Sequence, residues 1–279
     1  LLIRKPGIYD MKVQHKYFVI ITAIALIISL PPTICYKCLA TPSGNKTADN
    51  KTTGISSGNA SQNNPADKEH TNISADQDGF VILIDPGHGG FDPGKVSPDG
   101  IEEKKINLEI SLKLKNTLTA NGFSVFLTRD TDCSLNTPNS KSKKASDLRC
   151  RIKKAAEINA DLYISIHQNS YSAEYVHGAQ VFYYSTSRTG KSLAEAIQTQ
   201  LISDVDPDNS RTSKGNSDYL VLVESPCTAV IVECGFLSNT AECQKLCDPD
   251  YQTNLANAIA DAIVLWKKTQ TPSPKTVNN

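Results

Sequence analysis

The apolar residues of this chain fall into three regimes. An almost uninterrupted apolar run, Tyr17–Leu30, comes first. A polar tract with almost no large apolar residue, Thr41–Asp78, follows. From Phe80 onward, short apolar runs alternate with longer amphipathic stretches. Short apolar runs bounded by turn residues read as buried strands, and 3.6-residue spacing reads as helix. Strands are therefore predicted at Phe80–Ile84, Phe123–Thr128, Leu162–Ile166, Gln180–Tyr184, Tyr219–Val223 and Ala229–Val232. Helices are predicted between them. Asp147–Asn159 places Leu148, Ile152 and Ala155 or Ala156 on one face, and Ser192–Ser203 does the same with Leu193, Ile197 and Leu201. Asn239–Leu246 opens on a capping residue with Glu242 three positions later, a capping-box pattern. The last helix runs from Tyr251 to Lys268, with Leu255, Ile259, Ala262, Ile263 and Trp266 inward.

One segment carries conflicting signals. Ile106, Leu108, Ile110, Leu112 and Leu114 alternate with polar residues, which by period alone says strand. Yet Glu103–Asn121 is long, rich in Lys, Leu and Glu, and stops at Asn121-Gly122, a helix end signal. A helix is predicted, packed on both sides because its apolar residues cover more than one face. Asp132–Ser146 is a polar insertion read as a surface loop. Strands alternating with helices predict one α/β domain: a central, largely parallel or mixed sheet of about six strands with helices on both faces.

The flanking regions do not read as core. Tyr17–Leu30 is short for a membrane span, which needs about 20 residues, and it follows Lys12, His15 and Lys16. It reads as the apolar region of a secretory signal cleaved near Ala40, or as an uncleaved signal anchor. Met11 is the only methionine, so residues 1–10 are set aside from the fold. Residues 1–40 are thus a signal or anchor, 41–78 a flexible polar linker, 79–268 the folded domain and 269–279 a polar tail. The protein is expected to be exported to the cell envelope, either secreted or held at the membrane through residues 17–30. Equal numbers of basic and acidic residues, 29 each, leave no basic field for nucleic acid. The eight cysteines show no diagnostic metal-site spacing, and most are expected to be small buried hydrophobes.

Four positions carry candidate chemistry. His88 follows the first strand in IDPGHGG (Ile84–Gly90). Glu103, in the doublet Glu102-Glu103, opens the first long helix. His167 follows the third strand, and Glu233 ends the last. Ligands of α/β sheets collect outside the carboxyl ends of the strands, and parallel strands bring His88, His167 and Glu233 to one rim. Two imidazoles and a carboxylate make a zinc set that leaves a position for water. A further carboxylate can take the water's proton and deliver it to a leaving amine. Spacing does not rank Glu102 against Glu103. Taken singly, His167 and Glu103 also fit structural roles.

The four motifs IDPGHGG, EEKKINL (Glu102–Leu108), LYISIHQNS (Leu162–Ser170) and VIVECGFLSN (Val230–Asn239), in this order, resemble the zinc-dependent N-acetylmuramoyl-L-alanine amidases. The resemblance covers residues 79–268. It implies cleavage of the amide joining the lactyl group of N-acetylmuramic acid to L-alanine, with peptidoglycan as partner and one zinc ion per chain. It implies His88, Glu103 rather than Glu102, and His167 as zinc ligands, and Glu233 as the catalytic residue. Within the family, Ser146–His167 and the N-terminal segment look most like the spore-cortex amidases. Targeting is then expected from the anchor, the catalytic groove or a protein partner that activates the enzyme. A zinc peptidase of carboxypeptidase type and a non-catalytic peptidoglycan-binding module are the alternatives. Among lesser roles, Asp85 is read as an acceptor for a zinc-bound histidine or as a strand-end turn carboxylate. Asn169 is read as a substrate or loop contact, Arg129 and Arg149 as partners of peptide carboxylates or solvated surface cations, and His177 as structural.

Overall fold

The structure, a computed structural model, describes residues 79–270. The expectations for residues 1–78 and 271–279, including the export segment, the linker, Cys35 and Cys38, lie outside the described residues. The strands are β1 (Val81–Pro86), β2 (Ser124–Leu127), β3 (Leu162–Asn169), β4 (Gln180–Tyr184), β5 (Lys214–Asn216) and β6 (Thr228–Phe236). The helices are α1 (Glu103–Ala120), α2 (Lys143–Glu157), α3 (Arg188–Asp204), α4 (Leu220–Val223), α5 (Thr240–Leu246) and α6 (Pro249–Gln270). The strands form one sheet in the order β2-β1-β3-β6-β4-β5. β2, β1, β3 and β6 are parallel, β4 is antiparallel to β6, and β5 is parallel to β4. The sheet is therefore mixed and mostly parallel, as the alternating pattern predicted.

Successive residues of the central strands feed two different cores. Ile82, Ile84, Ile164, Ile166, Val230 and Val232 pack with α1, α3 and α6. Leu83, Tyr163 and Ile231 point the other way, against Leu148 and Ile152 of α2 and Val221 and Leu222 of α4. A strand buried on both faces has no polar side, so it appears in the sequence as a continuous apolar run.

The Glu103–Asn121 conflict resolves as a helix. Ile106, Ile110, Leu114 and Leu118 recur every four residues and are fully buried between the sheet and α6. The apparent alternation arises from Leu108 and Leu112 on a second face, and Leu112 is 37% exposed. The second apolar face is thus only partly covered.

Several expectations are corrected. Tyr219–Val223 is not a strand: Asn216 Oδ1 accepts from the amides of Asp218 and Tyr219, both at 2.8 Å, and starts a turn that runs into α4. A run this short satisfies either element, and the core facing α4 decided it. The sixth strand is instead Lys214–Asn216, which has no apolar residue and is held by pairing with β4. α2 begins at Lys143, inside the segment read as loop. The capping box of α5 is half realised, with Asn239 Oδ1 accepting from the Glu242 amide at 2.8 Å. Glu242 itself accepts from the amides of Phe236 and Gly178, at 2.7 and 2.9 Å, and so ties the end of β6 to the segment before β4. Of the six described cysteines, all free, only Cys234 and Cys243 are buried.

Candidate active site

The carboxyl ends of β1, β3 and β6 share one edge of the sheet because these strands are parallel. Just past β1, the Gly87 amide still donates to Ile166 O at 3.0 Å. His88 follows with φ of 60°, a left-handed conformation uncommon for a residue with a side chain. His167 lies in β3, and Glu233 stands opposite it in the register of β6. β6 runs on past Glu233 to Phe236, so this carboxylate lies within its strand rather than at its end. Glu103 is the first residue of α1. Its amide donates to Lys95 O at 2.8 Å, and its Oε2 accepts from the Lys95 amide at 2.7 Å.

These placements bring His88, Glu103 and His167 together. Glu103 Oε2 lies 3.2 Å from His88 Nε2, and Glu103 Oε1 lies 3.0 Å from His167 Nδ1. One ligand atom from each of the three falls within 4.8 Å of the others. Glu103 Oε1 also accepts from Gln168 N at 3.1 Å and Asn107 Nδ2 at 3.2 Å. Glu102 takes no part, and its carboxylate pairs with Lys104 and Lys105 at 3.6 and 3.7 Å. Spacing had left the doublet open, and helix phase separates it. His88 Nδ1 sits 2.9 Å from Asp92 Oδ2. With Asp92 accepting from Nδ1, the Nε2 lone pair faces the cluster, as a metal-binding imidazole requires. The cradle is tight: a Cβ on Gly94 would stand 2.5 Å from Glu103 Oε2, and one on Gly87 would overlap the His167 ring.

The charges follow from burial and neighbours. Burial works to raise the Glu103 carboxyl, but hydrogen bonds from His167 and His88 hold it far below the usual carboxylate range. Burial works to lower His167, and the carboxylates of Glu103 and Glu233 raise it. Glu233 is partly open as a residue, yet its Oε2 is shut off from solvent and has no hydrogen-bond partner. Burial pushes its carboxyl up to about 7, with His167 opposing and Glu103 reinforcing. A cavity of about 420 Å³ opens over these groups, and its lining includes Asn169 and Ser170 as well as Leu148, Tyr219 and Leu220.

Several lesser expectations change. Asp85 touches neither histidine. It accepts from Thr128 Oγ1 at 2.6 Å, Ser165 Oγ at 2.7 Å and Arg151 Nη1 at 2.7 Å. The acceptor beside a histidine is Asp92. Arg129 meets no solute, because it is buried and donates to the carbonyls of Pro86, Gly87, Thr131 and Lys104. Arg149 is exposed and lines a different depression, beside Lys153. Asn169 lines the cavity and accepts from the Ser170 amide at 2.8 Å. His177 uses its carbonyl to accept from Arg211 Nε at 2.7 Å. Sequence reading missed Asp92, Asn107 and Arg151. Asn107 had a signal, four residues after Glu103 on the same helical face. So did Arg151, a charge three residues after Leu148 and beside Ile152 in the apolar stripe of α2.

Asp85 sets an expected pH dependence of stability. Burial works to raise its carboxyl, but the Arg151 guanidinium and the hydroxyl donors hold it well below the usual range. A depressed acid stabilises the fold fully above its unfolded value, about 3.9, and this contribution is lost as pH falls. Asp85→Asn removes the charge partner of a buried guanidinium and is expected to cost about 3 kcal/mol at pH 7. Urea unfolding should show that gap shrinking toward pH 3, and a gap independent of pH would refute the assignment.

The comparisons with known proteins place the chain in a family. The family model described as N-acetylmuramoyl-L-alanine amidase matches residues 82–264. A germination-specific N-acetylmuramoyl-L-alanine amidase of Bacillus subtilis is 35% identical over 192 residues, covering 67% of this chain and 80% of that protein. The N-acetylmuramoyl-L-alanine amidase LytC of the same organism is 33% identical over 190 residues, 67% of this chain and 36% of LytC. Among solved structures, the CwlD amidase of Clostridioides difficile, in complex with the GerS lipoprotein, superposes with a TM-score of 0.66 at 36% identity. That match covers 68% of this chain and 99% of CwlD. With the family model spanning the sheet from β1 into α6 and these relatives matching about two thirds of the chain, the chain belongs to the N-acetylmuramoyl-L-alanine amidases, hydrolases of peptidoglycan.

Proposed function

We propose that this chain hydrolyses the amide between the lactyl group of N-acetylmuramic acid and L-alanine, with His88, Glu103 and His167 holding one zinc ion and Glu233 moving the proton. The observation that carries the reading is the convergence of two imidazoles and a buried carboxylate, with Glu233 directly across from His167. The donor set fits zinc, which favours nitrogen and oxygen ligands in this number. The small residues of the cradle and the unpartnered Glu233 Oε2 fit it as well. Zinc, when bound there, supplies Lewis acidity at the scissile carbonyl and makes water a better nucleophile at neutral pH. Asp92 holds the His88 ring, while Asn107 and the Gln168 amide hold the Glu103 carboxylate. Glu233, as carboxylate, takes a proton from the attacking water. The carboxyl then returns that proton to the departing nitrogen of L-alanine, so one water yields one carboxyl and one amine. Leu148, Tyr219 and Leu220 give the cavity apolar surface beside the reacting groups.

The physiological setting belongs to the same proposal. The germination-specific relative supports the spore cortex as substrate. Export to the envelope, with residues 17–30 as signal or anchor, brings the enzyme to its polymer. The CwlD neighbour is in complex with the GerS lipoprotein, which supports a protein partner for this chain, and an activating role is part of the proposal. Mass spectrometry of purified muropeptides after incubation with the zinc-loaded protein tests the reading. Release of intact stem peptides beginning with L-alanine, abolished by a chelator, is expected. Shortened stem peptides would indicate a carboxypeptidase-like enzyme, and binding without turnover would indicate a non-catalytic module.

A further inference from the structure

Buried side chains hold the backbone carbonyls of the His88 loop. Pro86 O accepts from Arg151 Nη1 at 2.8 Å and from Arg129 Nε at 3.0 Å. Gly87 O accepts from Arg129 Nη2 at 2.9 Å and Asn107 Nδ2 at 3.2 Å. His88 O accepts from Arg151 Nη2 at 2.6 Å. Arg151 thus grips the backbone of His88, as Asp92 holds its ring, and the Arg151 side chain is 2% exposed. Two carboxylates set the plane of the guanidinium. Asp85 Oδ1 takes Nη1 at 2.7 Å, and Asp147 Oδ2 takes Nε at 2.5 Å. With Nε and Nη1 committed, the plane of the rigid fork is fixed, and Nη2 aims an N–H at His88 O.

That carbonyl belongs to a residue with φ of 60°. Such a conformation disfavours an L-residue with a side chain and persists where surrounding contacts over-determine it. His88 cannot be exchanged for glycine to relieve it, because the imidazole is the group presented. We propose that Arg151 is a positioning residue of the metal site: oriented by Asp85 and Asp147, it holds the His88 backbone left-handed and so aims the imidazole at Glu103 and His167. The inference rests on the metal-site reading above. It assigns to the Asp85–Arg151–Asp147 network preorganisation of a ligand, beyond anchoring α2 to the sheet.

The test separates those roles in the full chain. Arg151→Lys keeps a positive charge for Asp85 but cannot reach Asp147, Pro86 O and His88 O together. Zn2+ affinity by chelator competition should fall 10- to 100-fold, the range expected when a partner orienting a metal ligand is lost. The visible spectrum of the Co2+-loaded variant should also differ from wild type. A purely architectural Arg151 would lower the unfolding midpoint of the metal-free protein and leave affinity and spectrum unchanged, which overturns the inference. Asp147 is the less buried of the two carboxylates, with a side chain 13% exposed against 2% for Asp85, and Asp147→Asn preserves the Asp85 pair. That variant decides the matter if Arg151→Lys does not fold: a several-fold loss of Zn2+ affinity is expected, and wild-type affinity overturns the inference. Wild-type protein that binds neither Zn2+ nor Co2+ overturns the metal-site reading itself. Metal binding that is tight in wild type and unchanged in the variants removes only the role of Arg151.

Discussion

Glu233→Gln is expected to lower kcat by about three orders of magnitude while metal content stays at the wild-type level. General acid–base groups contribute roughly 10²- to 10⁴-fold, and Glu233 is assigned both halves of the proton transfer. Glutamine preserves shape and hydrogen-bonding capacity but can neither accept the proton from water nor return it to the leaving amine. Glu233 lies beside the ligand cluster rather than within it, so its charge is not needed to hold the ion. The pH profile adds a second readout. Burial pushes the Glu233 carboxyl up to about 7, and a bound cation favours its anionic form. The acidic limb of kcat/KM should therefore fall below pH 7 in the zinc-loaded enzyme and be absent from the residual activity of the variant. Single-turnover kinetics with metal analysis makes the check, and a variant that retains turnover would remove Glu233 from the mechanism.

Glu103→Gln is expected to weaken zinc binding at least about 100-fold and to abolish activity with it. Glu103 is the anion of the site, fully buried, with one oxygen facing each histidine. An amide in its place removes the charge that offsets a divalent cation in a low-dielectric setting, and its NH2 group faces a histidine nitrogen. His88→Ala should lose the ion for the complementary reason, loss of a donor. Glu102→Gln is the control. Its carboxylate makes long pairs, 3.6 and 3.7 Å, with Lys104 and Lys105 outside the cluster, and Lys104 keeps Asp132 at 2.9 Å, so metal content and activity should match wild type. Metal analysis of the dialysed proteins decides between neighbouring residues, and full occupancy in Glu103→Gln would refute the ligand assignment.

Much of the architecture was legible because burial on both faces of a sheet removes polar residues from its strands. β1, β3, β4 and β6 stood out for that reason, and α3 and α6 because their apolar stripes repeat at helical spacing. The exceptions share a cause. Lys214–Asn216 is an edge strand without apolar residues, and its conformation comes from pairing with β4. Tyr219–Val223 has an apolar run too short to display a period, and packing against the second core made it helical. The polar residues supporting the site were hidden because a buried hydrogen-bond partner looks the same in sequence as a solvated one. Arg129 and Arg151 were the sharpest cases, two guanidiniums taken out of water to hold backbone carbonyls.

By itself the sequence determined the alternation of strands and helices, the parallel rim where His88, His167 and Glu233 had to gather, and the motifs that mark the amidase family. These are consequences of local pattern and chain direction. The tertiary structure decided what depends on side-chain direction across distant segments. It turned Glu103, the member of the doublet that the family motifs had marked and spacing had not, into the cluster, gave Asp92 the place beside a histidine that was one of two readings for Asp85, and brought Arg151 under the loop. Those choices rest on helix phase, strand register and the need to satisfy every buried polar group at once, and no single segment carries that information.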